Sequence, residues 1–184
     1  AAADASIYSN KPGLNAGLDE ILDIGVKNNV NPLNNFVDPV QQSPILADDL
    51  RRCLIQFSDE DLNTLKQYTT GSWETNLRLF LANAENLNTT YYLEVRQVSQ
   101  SWERGTGKLA DDPQTRNGVC WYTSQSFYQT SSNWGNGSYY LTDGGGSWTN
   151  LFATQSFGYK DSKDVDINVT QIVDTWFSGS RPNF

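Results

Sequence analysis

Between Thr75 and Leu81 the chain alternates Leu77, Leu79 and Leu81 against Asn76, Arg78 and Phe80. A period of two puts every second side chain on the same side of an extended backbone, so this pattern specifies a half-buried β-strand. Tyr91 to Val98 (YYLEVRQV) repeats it, with Leu93 and Val95 and then Val98 near one face. The two segments are expected to form an antiparallel pair.

The same argument extends along the chain. Strands are expected around Ser6–Tyr8, across Asn15 to Gly25 with an imperfect alternation, and at Arg52 to Phe57. In the last, Cys53, Ile55 and Phe57 share one face and Leu54 lies on the other, which marks a central strand. Residues 26 to 49, rich in Asn, Pro, Gln and Asp, read as a long irregular connection. Ser58-Asp59-Glu60-Asp61 has the form of a capping box with acids in the first turn, and Leu62 and Leu65 follow at helical spacing. Beyond residue 100 the chain is aromatic and glycine-rich, and short strands between turns are expected. Near the end, Ile172, Val173, Trp176 and Phe177 lie on one face of a short helix, with Asn168 or Thr170 as N-cap and Gly179 as the stop. The expected class is all-β, an antiparallel β-sandwich with one or two short helices, and 184 residues fit a single domain spanning 1–184.

Composition excludes several chemistries. The formal net charge of -8 repels phosphate backbones and anionic headgroups, so nucleic acid is not an expected partner. No apolar stretch approaches the roughly 20 residues of a spanning helix, and AAADASIYSN lacks the basic and apolar regions of a leader, so membrane insertion is not expected. The chain has no histidine, the commonest general base and metal ligand. It also has no methionine, so Ala1 is either a processed start or the edge of a fragment. Cys53 and Cys120 have no metal-site spacing; they read as two buried thiols, with a single disulfide as the alternative. Asn88, Asn136 and Asn168 head glycosylation sequons, which matter only in a host that glycosylates.

Three acidic groups, Asp59 to Asp61, Asp111-Asp112 and Asp161 to Asp166, supply the paired carboxylates of glycoside hydrolysis, yet they sit in polar turns and read as solvated caps and loop tips. Asp161, Asp164 and Asp166 are weak calcium candidates, since hard oxygen ligands recur there without EF-hand spacing. GTGK at 105–108 lacks the glycine spacing and hydroxyl of a phosphate-binding loop. A Ser or Cys nucleophile would have only lysine or a carboxylate as base, so no catalytic residue and no enzyme is expected. Of six tryptophans, Trp121 and Trp176 read as core. Trp134 and Tyr139 in SNWGNGSYY, and Trp148 in GGGSW, lie in polar glycine-rich stretches where an exposed ring could stack on a sugar or a neighbouring subunit, and Trp102 beside Glu103 is a further candidate.

The closing string DINVTQIVDTWFSGSRPNF resembles the end of the DNRLRE-type β-sandwich modules: Val169-Thr170, Ile172-Val173, Trp176, Gly179 and Pro182-Asn183-Phe184 occupy the family's places. The resemblance continues in Asn15 and Gly17, in Leu54 and Phe57, in Leu77 to Leu79, and in Ser101-Trp102-Glu103 followed by Gly118 and Trp121. NKPGLNAGLDEILDIG, with the later RCLIQF, is also similar to virion structural proteins of large tailed phages. These resemblances imply a carbohydrate-binding-module-like jelly roll, in which Trp102 belongs to a packed corner. They further imply a non-catalytic virion structural or attachment module of a phage tail, neck, fibre or capsid surface, with other virion proteins as partners in a homo- or hetero-oligomer. Contact with surface polysaccharide goes with the family, no cofactor beyond a calcium candidate is implied, and the expected location is a virion surface or extracellular. A carbohydrate-binding module of a secreted or cell-surface protein is the alternative. The family runs on to a glycine and a final strand, whereas this sequence stops at Phe184, so that strand is expected to be missing or supplied by another chain.

Overall fold

The computed structural model describes residues 2–28, 48–69, 71–84, 90–128, 133–134, 144–161 and 164–184. It is built mostly from strands in open antiparallel sheets with two short helices, an all-β protein. The chain divides into two compact units, each made of two separate stretches: Ala1–Ile55 with Gln100–Ser147, and Gln56–Ser99 with Trp148–Phe184.

The first unit carries a three-stranded sheet in which β3 (Asp48–Gln56) lies between β1 (Ala3–Tyr8) and β2 (Gly25–Asn28). The central place expected for the RCLIQF strand is therefore observed. The strand begins earlier than its apolar residues do, and β2 also falls at the edge of the stretch expected to be irregular. Both gains come from backbone pairing, with Gly25 opposite Arg51 and Val26 opposite Leu50, which demands no apolar pattern. The strand expected across Asn15–Gly25 is replaced by a single bridge between Ser6 and Ala16. Its acids explain the difference, because they bond groups elsewhere in the unit: Asp19 accepts from Leu109 N–H at 3.1 Å, and Asp23 accepts from the Tyr8 hydroxyl at 3.0 Å.

Among the described residues, the stretch from 100 to 147 has one bridge, Thr123 with Asn133, where several short strands were expected. Side-chain bonds to the backbone take over the role of a ladder. Asn15, fully buried, donates through Nδ2 to the carbonyls of Arg104 (2.7 Å) and Val119 (2.9 Å), and its Oδ1 accepts from Gly107 N–H (2.7 Å). Its own N–H donates to the Thr115 carbonyl at 2.9 Å. The loops come this close because they lack side chains: a β-carbon at Gly105, where φ is +73°, would collide with the Asn15 carboxamide, and one at Gly118 would strike Gly105. Around this centre lie buried Leu14, Val119, Cys120 and Trp121. The Arg52 guanidinium sits 4.9 Å from the Trp121 ring centroid and donates to the Gly145 carbonyl.

The second unit follows periodicity more closely, but not in its pairing. β4 (Asn76–Leu79) pairs with β7 (Val165–Asn168), and β5 (Tyr91–Val98) with β6 (Trp148–Phe157), so the antiparallel pair expected between the first and third of these does not form. Alternation specifies which side of a strand is buried and leaves its neighbour open. Here the neighbour is set by cross-strand matching: Leu77 opposite Ile167, Leu79 opposite Val165, and Arg78 opposite Asp166, whose side chains form an ion pair at 3.1 Å. Val165, Ile167, Val169, Ile172 and Val173 make the buried cluster, covered by Leu77 and Leu79, by Leu93 and Val95, and by Leu151 and Ala153. The Gln155 side chain links the two sheets, accepting from Asp166 N–H at 2.9 Å and donating to the Asp164 carbonyl at 3.5 Å.

Candidate functional site

The second unit's two helices end beside one another. α1 (Asp59–Tyr68) starts where the sequence places it, Ser58 Oγ accepting from Asp61 N–H at 3.3 Å with Asp59, Glu60 and Asp61 in the first turn. None of its residues is buried, so polar contacts hold it. Lys66 Nζ donates to the Phe177 carbonyl, and Asn183 Nδ2 bonds the Phe57 carbonyl at 2.7 Å and Asp59 at 3.1 Å. α2 (Thr170–Phe177) buries Ile172 and Val173, as its apolar spacing requires. Its N-cap is Val169, and Asn168 supplies the side-chain acceptor, taking the Thr170 N–H at 3.0 Å. Gly179 stops it at φ +71°.

A cleft of about 550 Å³ lies at these C-terminal ends, lined by Lys66 and Thr69, by Trp73, and by Asp174, Thr175, Phe177 and Ser178. The Trp73 and Phe177 rings are 5.2 Å apart at 43°, partly buried against the core and partly open to the cleft. Thr175 Oγ1 donates to the Ile172 carbonyl at 2.7 Å and accepts from Gln97 Nε2 at 2.8 Å, fixing that wall. The arrangement offers aromatic surface beside a carboxylate and an ammonium, suited to holding a ligand by stacking and charge.

The residues singled out from sequence are placed elsewhere. Trp134 is buried, not exposed, and its indole N–H donates to the Cys120 carbonyl at 3.0 Å. Trp102 is buried too, in keeping with a packed corner, so neither ring offers a face for stacking. The glycines near Trp102 and Trp148 mark close packing instead: Gly105 and Gly107 lie against Asn15, and Gly144 and Gly145 against Trp121. Trp148 is half-buried at the start of β6, opposite Val98. Tyr139 lies outside the described residues, as do Asn88 and Asn136. Trp121 is core as expected, and Trp176 packs against the α2 cluster with Phe57 at 6.3 Å.

Among the described residues, no three acids gather as a metal site would need. Asp164 accepts from Leu81 N–H at 3.2 Å and Asp166 is paired with Arg78, so strand contacts occupy two of the three calcium candidates. Asp111 is a loop cap: the Thr115 hydroxyl at 2.6 Å and the Lys108 N–H at 2.9 Å hold its carboxyl below the usual range.

In the first unit, Tyr8, Asp23, Arg51 and Asp49 form a chain of polar contacts. The Arg51 guanidinium lies 3.5 Å from Asp23 and 2.9 Å from buried Asp49. Burial, then the Asp23 charge, push the Tyr8 phenol well above its usual range, which keeps it a neutral donor. Burial also pushes the Cys53 thiol up to about 12. Both cysteines are free thiols.

Sequence reasoning missed Trp73, Lys66 and Asp174. The usable signal was Asp174 and Thr175, which fall between the two apolar pairs of α2 and so mark its polar side. Compared with family models, with curated proteins and with solved structures, the chain finds no match.

Proposed function

We propose that this chain is a non-catalytic structural or attachment module of a phage particle, in the tail, neck, fibre or capsid surface, and that it works by contact with other proteins. A jelly-roll sandwich over residues 1–184 is the finer fold within this reading. The observation that carries it is the amount of aromatic surface left in solvent on a protein with buried cores of its own: Tyr68, Phe80, Tyr92 and Tyr128 are each at least three-quarters exposed. Such side chains are enriched at protein interfaces, where burial of a large ring supplies much of the binding energy. The sequence resemblance supplies the particle. The perturbed groups fit the same reading, because Cys53 is shifted by burial, Tyr8 by burial and the Asp23 carboxylate, and Asp111 by hydrogen bonds from Thr115 and Lys108, and none of them lines the cleft.

Particle fractionation tests the reading. The chain should co-sediment with virions and resist removal by salt, and a protein found free and absent from particles would end the proposal. The second reading, a carbohydrate-binding module, is favoured by the Trp73 and Phe177 rings beside Asp174 in an open cleft. A glycan array decides it: saturable binding of one sugar class supports the module, and no binding at millimolar sugar removes it.

A further inference from the structure

Strand β4 has β7 on one side, and among the described residues no strand pairs with its other edge. The two ends of the strand fix which backbone groups that edge presents. Thr75 N–H donates to Thr170 Oγ1 at 2.9 Å, the Thr75 carbonyl accepts from Val169 N–H at 2.8 Å, and Leu81 N–H donates to Asp164 Oδ1 at 3.2 Å. Backbone groups alternate in direction along an antiparallel strand, so the odd-numbered residues address β7. Asn76, Arg78 and Phe80 therefore turn their N–H and C=O groups the other way. The side chains beside that edge are open as well. Phe80 is 83% exposed, and Leu81 is 39% exposed although it continues the alternation of Leu77 and Leu79, which pack on the core. The apolar pattern thus outruns its own sheet, on an edge with no proline, glycine or lysine to block a further strand.

A second copy of the same strand answers each of these features. Run antiparallel about a two-fold axis at Leu79, it sets Leu79 against the partner's Leu79, Leu77 against the partner's Leu81, and Arg78 against the partner's Phe80. Arg78 and Phe80 both face the edge, so each such pair exchanges both of its backbone hydrogen bonds. The guanidinium then lies beside the partner's exposed ring, a cation–π contact, and the leucines of both copies share the core face. Other registers fit worse. One centred on Arg78 opposes two guanidiniums, one centred on Leu77 sets Phe80 against Glu74, and one centred on Phe80 sets Leu77 against Asn83. We infer that the chain associates with a second copy of itself by antiparallel pairing of β4 with β4, centred on Leu79. The inference rests on the reading of the chain as a contact module and names one of its contacts.

Analytical ultracentrifugation of the full chain over a range of concentrations tests this. A single strand pairing is a small interface, so the dimer should form with a dissociation constant of roughly 10–100 µM. Phe80→Pro removes an N–H that faces the edge, a change that edge strands tolerate, and should weaken the dimer at least about tenfold while the melting temperature stays in place. The register is read by mixing Arg78→Cys with Phe80→Cys under mild oxidation. The mixture should give a disulfide-linked dimer of one variant with the other, several-fold faster than either variant alone, and the unsubstituted chain should give none. Should Phe80→Pro fail to fold, the mixing experiment decides. A chain that stays monomeric up to about 500 µM overturns the inference. So does a dimer that folded Phe80→Pro leaves intact, or a mixture that cross-links no faster than the single variants. A monomeric chain that still co-sediments with particles removes this inference alone. A dimer with the expected cross-link, from a chain absent from particles, leaves the pairing assigned and removes the wider reading.

Discussion

The two units bury comparable kinds of residue by opposite means. In the second, strands and a helix present apolar stripes, and Val165, Ile167, Ile172 and Val173 meet Leu77, Leu79, Leu93 and Val95 across them. In the first, the loops that carry Arg104, Gly107 and Val119 are tied down by one buried carboxamide and by glycines that allow backbone to approach backbone. An apolar stripe tolerates change in proportion to volume lost, whereas a polar hub is either satisfied or leaves several orphaned groups.

Substitution at the hub should give the largest effect. Asn15→Ala orphans two carbonyls and one N–H in a buried place, and at roughly 1–3 kcal/mol for each unsatisfied group it should cost at least about 3 kcal/mol in denaturant unfolding. A loss under about 1 kcal/mol would mean that water replaces the carboxamide, and the contrast between the units would vanish. Ile172→Ala removes a buried side chain from the stripe and should cost about 2–4 kcal/mol. If it matched or exceeded Asn15→Ala, the ranking would be reversed.

The Cys53 thiol gives a pH-dependent probe of the first unit. Its folded value is raised from 9.0 to about 12, so its contribution to stability is whole below the unfolded thiol's value and is lost as pH climbs from about 9 toward about 12. Stability measured against pH should decline over that window, and Cys53→Ser should flatten the decline. Alkylation of Cys53 at pH 8 should be at least about tenfold slower in the folded protein than in denaturant, because only the thiolate reacts. Equal rates would show that the thiol is open to water. The smallest effect is expected at Arg78 and Asp166, a pair 69% and 45% exposed, where the double-mutant coupling should be about 0.2–1 kcal/mol and fall with salt.

What sequence revealed follows the same division. Leu77 and Leu79, Leu93 and Val95, and the α2 face were readable because each buried side chain recurs at a structural period. Ser58 and Gly179 were readable because helix ends demand particular residues. The partner of each strand was not, since Arg78 could choose Asp166 only after a long loop had closed. Asn15 was visible as a residue and invisible as a hub: its bonds go to the backbone of Arg104, Gly107 and Val119, and backbone has no sequence signature. Trp134 misled for a related reason, because what buries it includes an indole bond to the Cys120 carbonyl, again a backbone partner. The helix-end cleft escaped notice because Lys66, Trp73 and Asp174 come from three places in the chain, and only Asp174 stands out on its own element.

Each unit is assembled from an early and a late stretch of chain, with the other unit's residues emerging between them. While this protein is being synthesised, Leu77, Leu79, Leu93 and Val95 therefore leave the ribosome with nothing to cover them until Val165 through Val173 have followed. Loops that long close slowly, and the waiting strands have open edges. The nascent chain is consequently most vulnerable to self-association in the middle of translation, when its first hundred residues are out and neither core can yet close.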